Sequence, residues 1–236
     1  LEMVVHTRLD CALGSASLIH QAVQNAVHHA GRRAAFGNTL IEQPAMVGVL
    51  ADLCVESEAA TITSMRLARA FDDTLRDGAD SEASAFRRVA TAVAKYWICK
   101  RAPNVVYEAL ECHGGNGFTE EWPMARMFRQ SPLNSIWEGS GNVICLDVLR
   151  AAAREPESLE AFSNFLKSGA GLDHRLDRLL NSLQRTMTDG TLRDPMHAQA
   201  AARGLVDRMA LALQSILLIT EGDADVAELF LAARRA

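Results

Sequence analysis

The sequence has 236 residues, of which 49% are hydrophobic and only 6% aromatic, and its formal net charge is −5. This length is ample for a hydrophobic core, and this charge excludes a general attraction of the whole chain for nucleic acid or anionic membranes. Alanine and leucine recur, while clusters of β-branched and aromatic residues are scarce. The composition therefore favours helices over sheet.

The five cysteines are widely spaced and form no CxxC pair. Their odd number and spacing predict buried thiols in a reducing compartment, and indicate neither a disulfide framework nor a metal site. The sequence contains no apolar run of the about 18 residues that a membrane span requires, and no apolar signal-peptide core near its beginning. We therefore expect a soluble cytoplasmic protein.

Apolar residues recur at helical spacing in three long stretches, at about residues 8–33, 44–75 and 81–110,. The third stretch begins with Ser81, a good helix cap. A fourth helix should begin near residue 135 or 142 and end at about 153. Long helices joined by short connections are typical of an antiparallel bundle. The prediction for residues 1–153 is an all-α four-helix bundle.

The character of the chain changes after the break "REPESLE". The helical runs that follow are shorter and lie at residues 159–166, 172–187, 198–220 and 224–233. We predict a smaller helical extension over residues 154–236, with a soft boundary near 153–156.

Two segments each have a structural and a functional interpretation. "HGGNGF", residues 113–118, is typical of a helix C-terminus, although paired glycines also let a cofactor approach bare backbone N–H groups. "RRAAFGN", residues 32–38, is a cationic helix end followed by a turn. Alternatively, Arg33 binds a phosphate group, which a planar guanidinium does well.

A third segment, "NSIWEGSGN" (residues 134–142), places one carboxylate between an aromatic residue and a glycine-serine turn. Ser135 and Glu138 have the spacing of a capping box, so spacing alone predicts that Glu138 caps a helix. The alternative is that Glu138 takes a proton from a substrate. The local pattern leaves both interpretations open.

Taken together and in order, "RRAAFGNTLIEQP" and "LECHGGNGFTEEWPMARMFRQSPLNSIWEGSGN" closely resemble the C-terminal helical domain of acyl-CoA dehydrogenases. "TRLDCALGS", "NSIWEGSGN" and "CLDVLR" are most similar to the AidB-type branch, the flavoproteins of the bacterial response to alkylating agents. The resemblance covers residues 5 to about 153 and is only general beyond them. Full-length members place an N-terminal helical domain and a middle β-domain before this one. The resemblance thus implies a fragment of a longer flavoprotein, inactive in isolation.

The resemblance implies that Glu138 is the catalytic base, which removes the α-proton of an acyl-CoA thioester while the β-hydrogen leaves as hydride to the flavin. In another branch the base comes from the first helix, where this chain has Thr7. Arg8 takes the position of a substrate-site arginine, but Val5 replaces an aspartate that helps to hold CoA. Trp137 stands where typical members have tyrosine. These changes fit the AidB-type branch and weaken the expectation of ordinary acyl-CoA oxidation.

The resemblance also implies contacts with FAD. Arg33 would grip the pyrophosphate, usually from a neighbouring subunit, with Phe36 beside it. Gln43 would be the next contact, followed by a proline where the family has glutamine. The other implied contacts lie along the adenosine end of FAD and after the glutamate, and are Glu111, Cys112, His113, Gly114, Gly115, Ser140, Gly141 and Asn142.

Three functions follow as alternatives. The first is a dehydrogenase-type flavoprotein that binds FAD and acyl-CoA, and the second is a DNA-associated protective protein. The third is an assembly module that forms a homo-oligomer, either a dimer or a tetramer. Against DNA binding, residues 151–236 contain ten Lys and Arg but twelve Asp and Glu, without a basic run,. An oligomer could still gather basic residues on one surface, namely Arg175, Arg178, Arg185 and Arg193.

Overall fold

The structure, a computed structural model, describes residues 2–78 and 81–234. Within these ranges nearly all regular structure is helical, and three long helices form the centre of the fold. They end within a few residues of the predicted limits, and the Ser81 hydroxyl caps the third by accepting a hydrogen bond from the Ser84 N–H at 3.3 Å. The three helices are α1 (Glu2–Ala30), α2 (Pro44–Asp77) and α3 (Glu82–Glu111).

Helix α3 is the central element. Helices α1 and α2 pack on it and on each other, and two short helices, α4 (Gly115–Phe118) and α5 (Pro123–Gln130), connect it to α6 (Gly141–Arg154). Helix α6 also packs on α3. Buried residues occur all around α3, as expected for a helix that has partners on several sides. The prediction of an all-α fold with a four-helix bundle is confirmed.

The extension consists of α7 (Pro156–Lys167), α8 (His174–Thr188), α9 (Pro195–Glu221) and α10 (Ala224–Ala233). Helix α7 packs on α3, and α9 packs on α2 and α6. Helices α8 and α10 pack on α9. Most buried apolar residues of α7, α8 and α9 belong to the same hydrophobic cluster as those of the bundle. Leu218 of α9 belongs to a second cluster with α2 and α10. Helix α6 ends and α7 begins at the predicted boundary, but the two parts of the chain share one core. Their division into two domains stays a prediction.

A small antiparallel hairpin follows α1, where the sequence pattern indicates only a turn. Ala34–Ala35 (β1) pairs with Asn38–Thr39 (β2). Between the strands, Phe36 and Gly37 are left-handed, with φ of 54° and 91°. Tight hairpin turns require such values, and glycine adopts them without steric cost. The hairpin ends α1 at Ala30, three residues before the predicted limit.

The prediction that all cysteines are buried is wrong for one of them. Cys54 is exposed on α2, because it lies on the face of the helix that turns away from the bundle. The buried cysteines are Cys11, Cys99, Cys112 and Cys145. None of the described helices is both long and apolar enough to cross a membrane.

Candidate active site around Glu138

Glu138 lies in an irregular loop between a 3₁₀ turn (Leu133–Ser135) and the start of α6. Its φ is +57°, a left-handed value, which costs a residue with a side chain about 1–2 kcal/mol. The predicted capping box is wrong, because the Ser135 hydroxyl donates to the Pro132 carbonyl at 2.8 Å. Ser140, two residues after Glu138, is the N-cap of α6. Glu138 is therefore a loop residue with an exposed side chain.

Two buried cations hold this loop through three consecutive carbonyl groups. The Lys95 ammonium donates to the Trp137 carbonyl at 2.9 Å and to the Gly139 carbonyl at 2.5 Å. Between them, Nε of Arg8 donates to the Glu138 carbonyl at 3.2 Å. A hydrogen bond to a charged group contributes about 2 kcal/mol. Together these bonds offset the left-handed conformation, and they occupy carbonyls that a helix would have bonded internally.

Arg8 is itself held in place by Asp147 on α6. Nη1 of Arg8 lies 2.5 Å from Oδ2 of Asp147, and Nη1 of Arg88 lies 3.2 Å from the same oxygen. Burial alone would raise the pKa of Asp147, but the hydrogen bond from Arg8 and the charge of Arg88 outweigh burial and lower that pKa,. The predicted contact between Arg8 and substrate stays a prediction. The contacts present here are with Asp147 and with the backbone of Glu138.

A cleft of about 280 Å³ opens beside the Glu138 side chain. One wall comes from α1 and the other from the loop. The Thr7 hydroxyl donates to the Met3 and Val4 carbonyls of its own helix. The cleft is lined by Thr7, Asp10, Cys11, Asn134, Trp137 and Glu138.

The Trp137 ring is anchored to α1 through a chain of hydrogen bonds. Its Nε1 donates to Oδ1 of Asn134 at 2.9 Å, and the Asn134 amide donates to the Ser15 hydroxyl at 3.1 Å. In the same cleft, burial raises the pKa of the Cys11 thiol, so this thiol stays protonated at neutral pH. Sequence patterns do not predict the presence of Asp10, Cys11 and Asn134 in this cleft.

The FAD contacts implied at Ser140, Gly141 and Asn142 lie directly beside Glu138, at the first turn of α6. The Ser140 and Asn142 side chains are exposed. At Gly141, a Cβ atom would stand 3.3 Å from the Tyr96 ring. A residue with a side chain would therefore require the Tyr96 ring to shift by a few tenths of an ångström.

Arg33, Phe36 and Gln43 lie around the hairpin that follows α1. Arg33 and Phe36 are exposed, and the Phe36 side chain is 99% exposed. Gln43 has a structural contact, since its amide donates to the Ala35 carbonyl at 2.9 Å. The implied FAD contact of Gln43 stays a prediction, as do those of Arg33 and Phe36.

The segment from Glu111 to Gly115 lies beside the C-terminal end of α1, where His113 stacks on His29 with 4.7 Å between ring centroids. Nδ1 of His113 lies 2.8 Å from the Ala109 carbonyl, and burial raises the pKa of the Cys112 thiol to about 11. Glu111, Gly114 and Gly115 are exposed. A Cβ atom on either glycine would meet open space, so a ligand has room to approach this backbone.

The residues implied in FAD binding thus form two groups near opposite parts of α1. One group follows Glu138 at the start of α6, and the other comprises the hairpin residues and the segment around His113. The group at Glu138 lies beside Cys11, and the group at His113 lies beside His29. At a helical rise of 1.5 Å per residue, these two positions of α1 are about 27 Å apart.

Comparison with known proteins identifies the family. A family model described as "Acyl-CoA dehydrogenase, C-terminal domain" matches residues 1–153. The chain belongs to the acyl-CoA dehydrogenase family. Among its relatives, AidB of Escherichia coli (strain K12) is 41% identical over 187 residues, which are 79% of this chain and 34% of AidB. The resemblance to this family and to AidB-type members is confirmed.

More distant relatives share the fold. ACDH-11 of Caenorhabditis elegans, solved in complex with C11-CoA, has a TM-score of 0.89 at 23% identity, with 99% of this chain and 43% of that chain covered. An acyl-CoA dehydrogenase of Bacillus anthracis complexed with FAD has a TM-score of 0.74 at 19% identity, with 98% and 46% covered. This chain spans between a quarter and about a third of the length of the curated relatives it matches.

Proposed function

We propose that this chain is the C-terminal helical domain of an AidB-like flavoprotein that oxidises an acyl-CoA thioester, with Glu138 as the base. The observation that carries this proposal is the conformation of the Glu138 loop. A strained left-handed residue held by two buried cations directs an exposed carboxylate to the cleft beside α1. Backbone strain of this kind is concentrated at functional sites, and a base must be held within reach of the proton it removes.

In the proposed reaction, Glu138 takes the α-proton of the thioester. FAD, when bound, supplies the acceptor for the β-hydrogen as hydride. The Trp137 ring and the protonated Cys11 thiol give the cleft apolar walls that suit an acyl chain, and the anchored Asn134 keeps the ring in place. Wild-type full-length protein, mixed anaerobically with acyl-CoA thioesters of several chain lengths, should lose its oxidised-flavin absorbance with one of them.

The residues of both groups fit FAD chemically. The exposed Arg33 guanidinium suits a pyrophosphate, and the open backbone at Gly114 and Gly115 suits the adenosine half. Ser140 and Asn142 present a hydroxyl and an amide beside the base. Because the two groups are about 27 Å apart along α1, we propose that they bind different FAD molecules. Each FAD would then lie between two copies of the chain.

The FAD proposal is tested by replacing Arg33 with alanine in the full-length protein. Arg33→Ala should lower FAD affinity, whereas Arg32→Ala is the matched control. Arg32 is the neighbouring exposed arginine, and its side chain contacts the His28 ring of α1. Equal FAD affinity of the two variants would contradict the role of Arg33. A protein that forms oligomers but binds no FAD would be an assembly module only.

DNA association is the second candidate function, and one observation favours it. A groove of about 840 Å³ between α8 and α9 is lined by Arg178, Arg185 and Arg208, without an acidic residue among its lining. Arg175 does not contribute a free charge, because it pairs with Asp173 and Glu228. If DNA binds here, replacing the three groove arginines with glutamine should weaken binding and make it less dependent on salt. Unchanged DNA affinity would show that this groove does not bind DNA.

A further inference from the structure

Lys95 is a charged residue in the interior of the protein. It lies in the middle of α3, within the otherwise apolar run "AVAKYWIC", and is 1% exposed. Burial of an ammonium group is strongly unfavourable unless the group is hydrogen-bonded, and burial lowers the pKa of Lys95. Packing alone would be better served by an apolar side chain of similar length. We therefore expect the ammonium group of Lys95 to make specific hydrogen bonds.

The contact is with the backbone on both sides of Glu138. The ammonium group donates two hydrogen bonds, to the carbonyl before Glu138, on Trp137, and to the carbonyl after it, on Gly139. Arg8 binds the carbonyl between them. Each carbonyl belongs to a rigid planar peptide group. With all three peptide groups fixed, the direction in which the Glu138 side chain leaves the backbone is fixed as well.

We propose that Lys95 is a positioning residue for Glu138, and that its ammonium group holds the carboxylate toward the cleft by clamping the backbone on either side. This proposal rests on the proposed function of Glu138 as the base. Lys95 acts through the backbone and touches neither substrate nor cofactor.

The backbone conformation of the loop explains what the clamp would prevent. Helix α6 begins only three residues after Glu138. Glu138 and Gly139 both have positive φ values, 57° and 106°, which a right-handed helix does not accommodate,. Without the clamp, residues 137–140 are free to relax to right-handed values. A change of φ from positive to negative redirects the Cβ atom. The carboxylate would then leave its place at the cleft although the protein stays folded.

The test uses Lys95→Met in the full-length protein, since methionine keeps most of the length of the side chain but donates no hydrogen bond. Lys167→Met is the matched control, because Lys167 is exposed and its ammonium group donates to the Asn164 side chain one turn away on the same helix. The first readout is hydrogen exchange of the Ile136 and Trp137 amides, which bond to the Leu133 carbonyl at 2.9 and 3.2 Å. We expect their exchange to become about tenfold faster in Lys95→Met. In Lys167→Met it should stay at the wild-type rate.

The second readout is the rate of flavin reduction at saturating acyl-CoA, compared with the Kd of a thioether analogue of acyl-CoA that cannot be oxidised. We expect the rate to fall about tenfold or more with a nearly unchanged Kd, because only the orientation of the base is altered. The two readouts separate the two proposals. In one outcome, acyl-CoA fails to reduce the flavin of wild-type protein while amide exchange is still faster in Lys95→Met. That result would contradict the role of Glu138 as the base and support the contact between Lys95 and the loop.

Unchanged exchange at Ile136 and Trp137 in Lys95→Met would overturn the clamp. So would a fall in reduction rate that is matched by an equal weakening of analogue binding. If Lys95→Met fails to fold, Lys95→Gln takes its place, since its amide keeps one donor group but does not reach both carbonyls. In that variant the same exchange measurement is decisive, with faster exchange supporting the clamp and wild-type exchange overturning it.

Discussion

Arg8 on α1 and Asp147 on α6 form a buried ion pair, with 2.5 Å between Nη1 and Oδ2. Arg88 on α3 binds the same carboxylate, so three helices meet at one charge. The Nε atom of Arg8 then reaches the Glu138 carbonyl at 3.2 Å. A contact in the core of the bundle is thereby connected to the loop that presents the proposed base.

Replacing Asp147 with asparagine should destabilise the fold by about 3 kcal/mol. Arg8 would remain buried without a compensating charge, and Arg88 would keep only its ion pair with Glu155. Urea unfolding of this chain measures the effect. Asp72→Asn is the control, since Asp72 is exposed on α2 and should unfold like wild type. A loss below about 1 kcal/mol for Asp147→Asn would show that the ion pair contributes little.

The same carboxylate predicts a dependence of stability on pH. Its pKa is lower in the folded protein than in the unfolded chain, where it is about 3.9. The stabilisation is therefore complete above the unfolded value and is lost as the pH falls through the folded value. Urea midpoints measured between pH 7 and pH 2 should fall below about pH 4 in wild type. The urea midpoint of Asp147→Asn should fall less over the same pH range. An equal fall in the two proteins would show that Asp147 is not the source of this pH dependence.

The left-handed conformation of Glu138 predicts an unusual order of stabilities. At φ +57° glycine is strained less than alanine, so Glu138→Gly should be more stable than Glu138→Ala by about 1 kcal/mol. Thermal or urea unfolding gives the difference. Exposed Glu160, in the middle of α7, provides the opposite control, because alanine is favoured over glycine by about 1 kcal/mol in a helix. If the alanine variant were the more stable one at both positions, Glu138 would not be left-handed in solution.

Thiol accessibility provides a further test of the fold. Only Cys54 is exposed among the five cysteines, so a thiol reagent should modify one thiol rapidly in native protein and all five after denaturation. Partial desolvation and the nearby charge of Glu58 raise the pKa of the Cys54 thiol, so this reaction should speed up markedly as the pH rises toward 9. Cys54→Ser should remove the fast phase. Rapid modification of a second thiol would show that Cys11 at the cleft, or another buried cysteine, is accessible.

The helices could be predicted from the sequence because they bury regular apolar faces. The periodicity of α1, α2 and α3 and the cap at Ser81 were sufficient for this. The hairpin after α1 has only two residues in each strand, too few for an alternating pattern. The capping box at Ser135 and Glu138 was wrong because bonds from Lys95 and Arg8, distant in sequence, outweigh the local preference.

The candidate site could be located from the sequence only through resemblance to the family. Periodicity does not distinguish Glu138 from a helix cap, and it does not indicate that Asp10 and Cys11 line the cleft. One signal for the loop clamp was present, since Lys95 is a single charge within an apolar helical run. Its two acceptors are more than 40 residues away, so only the folded structure identifies them.

The most direct test of the central claim compares wild type with Glu138→Gln in the full-length protein. Both are mixed anaerobically with the acyl-CoA thioester that reduces the wild-type flavin most rapidly, and the oxidised-flavin absorbance is followed. Glutamine keeps the size of the side chain but cannot take the proton, so we predict that reduction is abolished while the FAD content and the unfolding midpoint stay the same. Reduction of the Glu138→Gln flavin near the wild-type rate would contradict the assignment of Glu138 as the base.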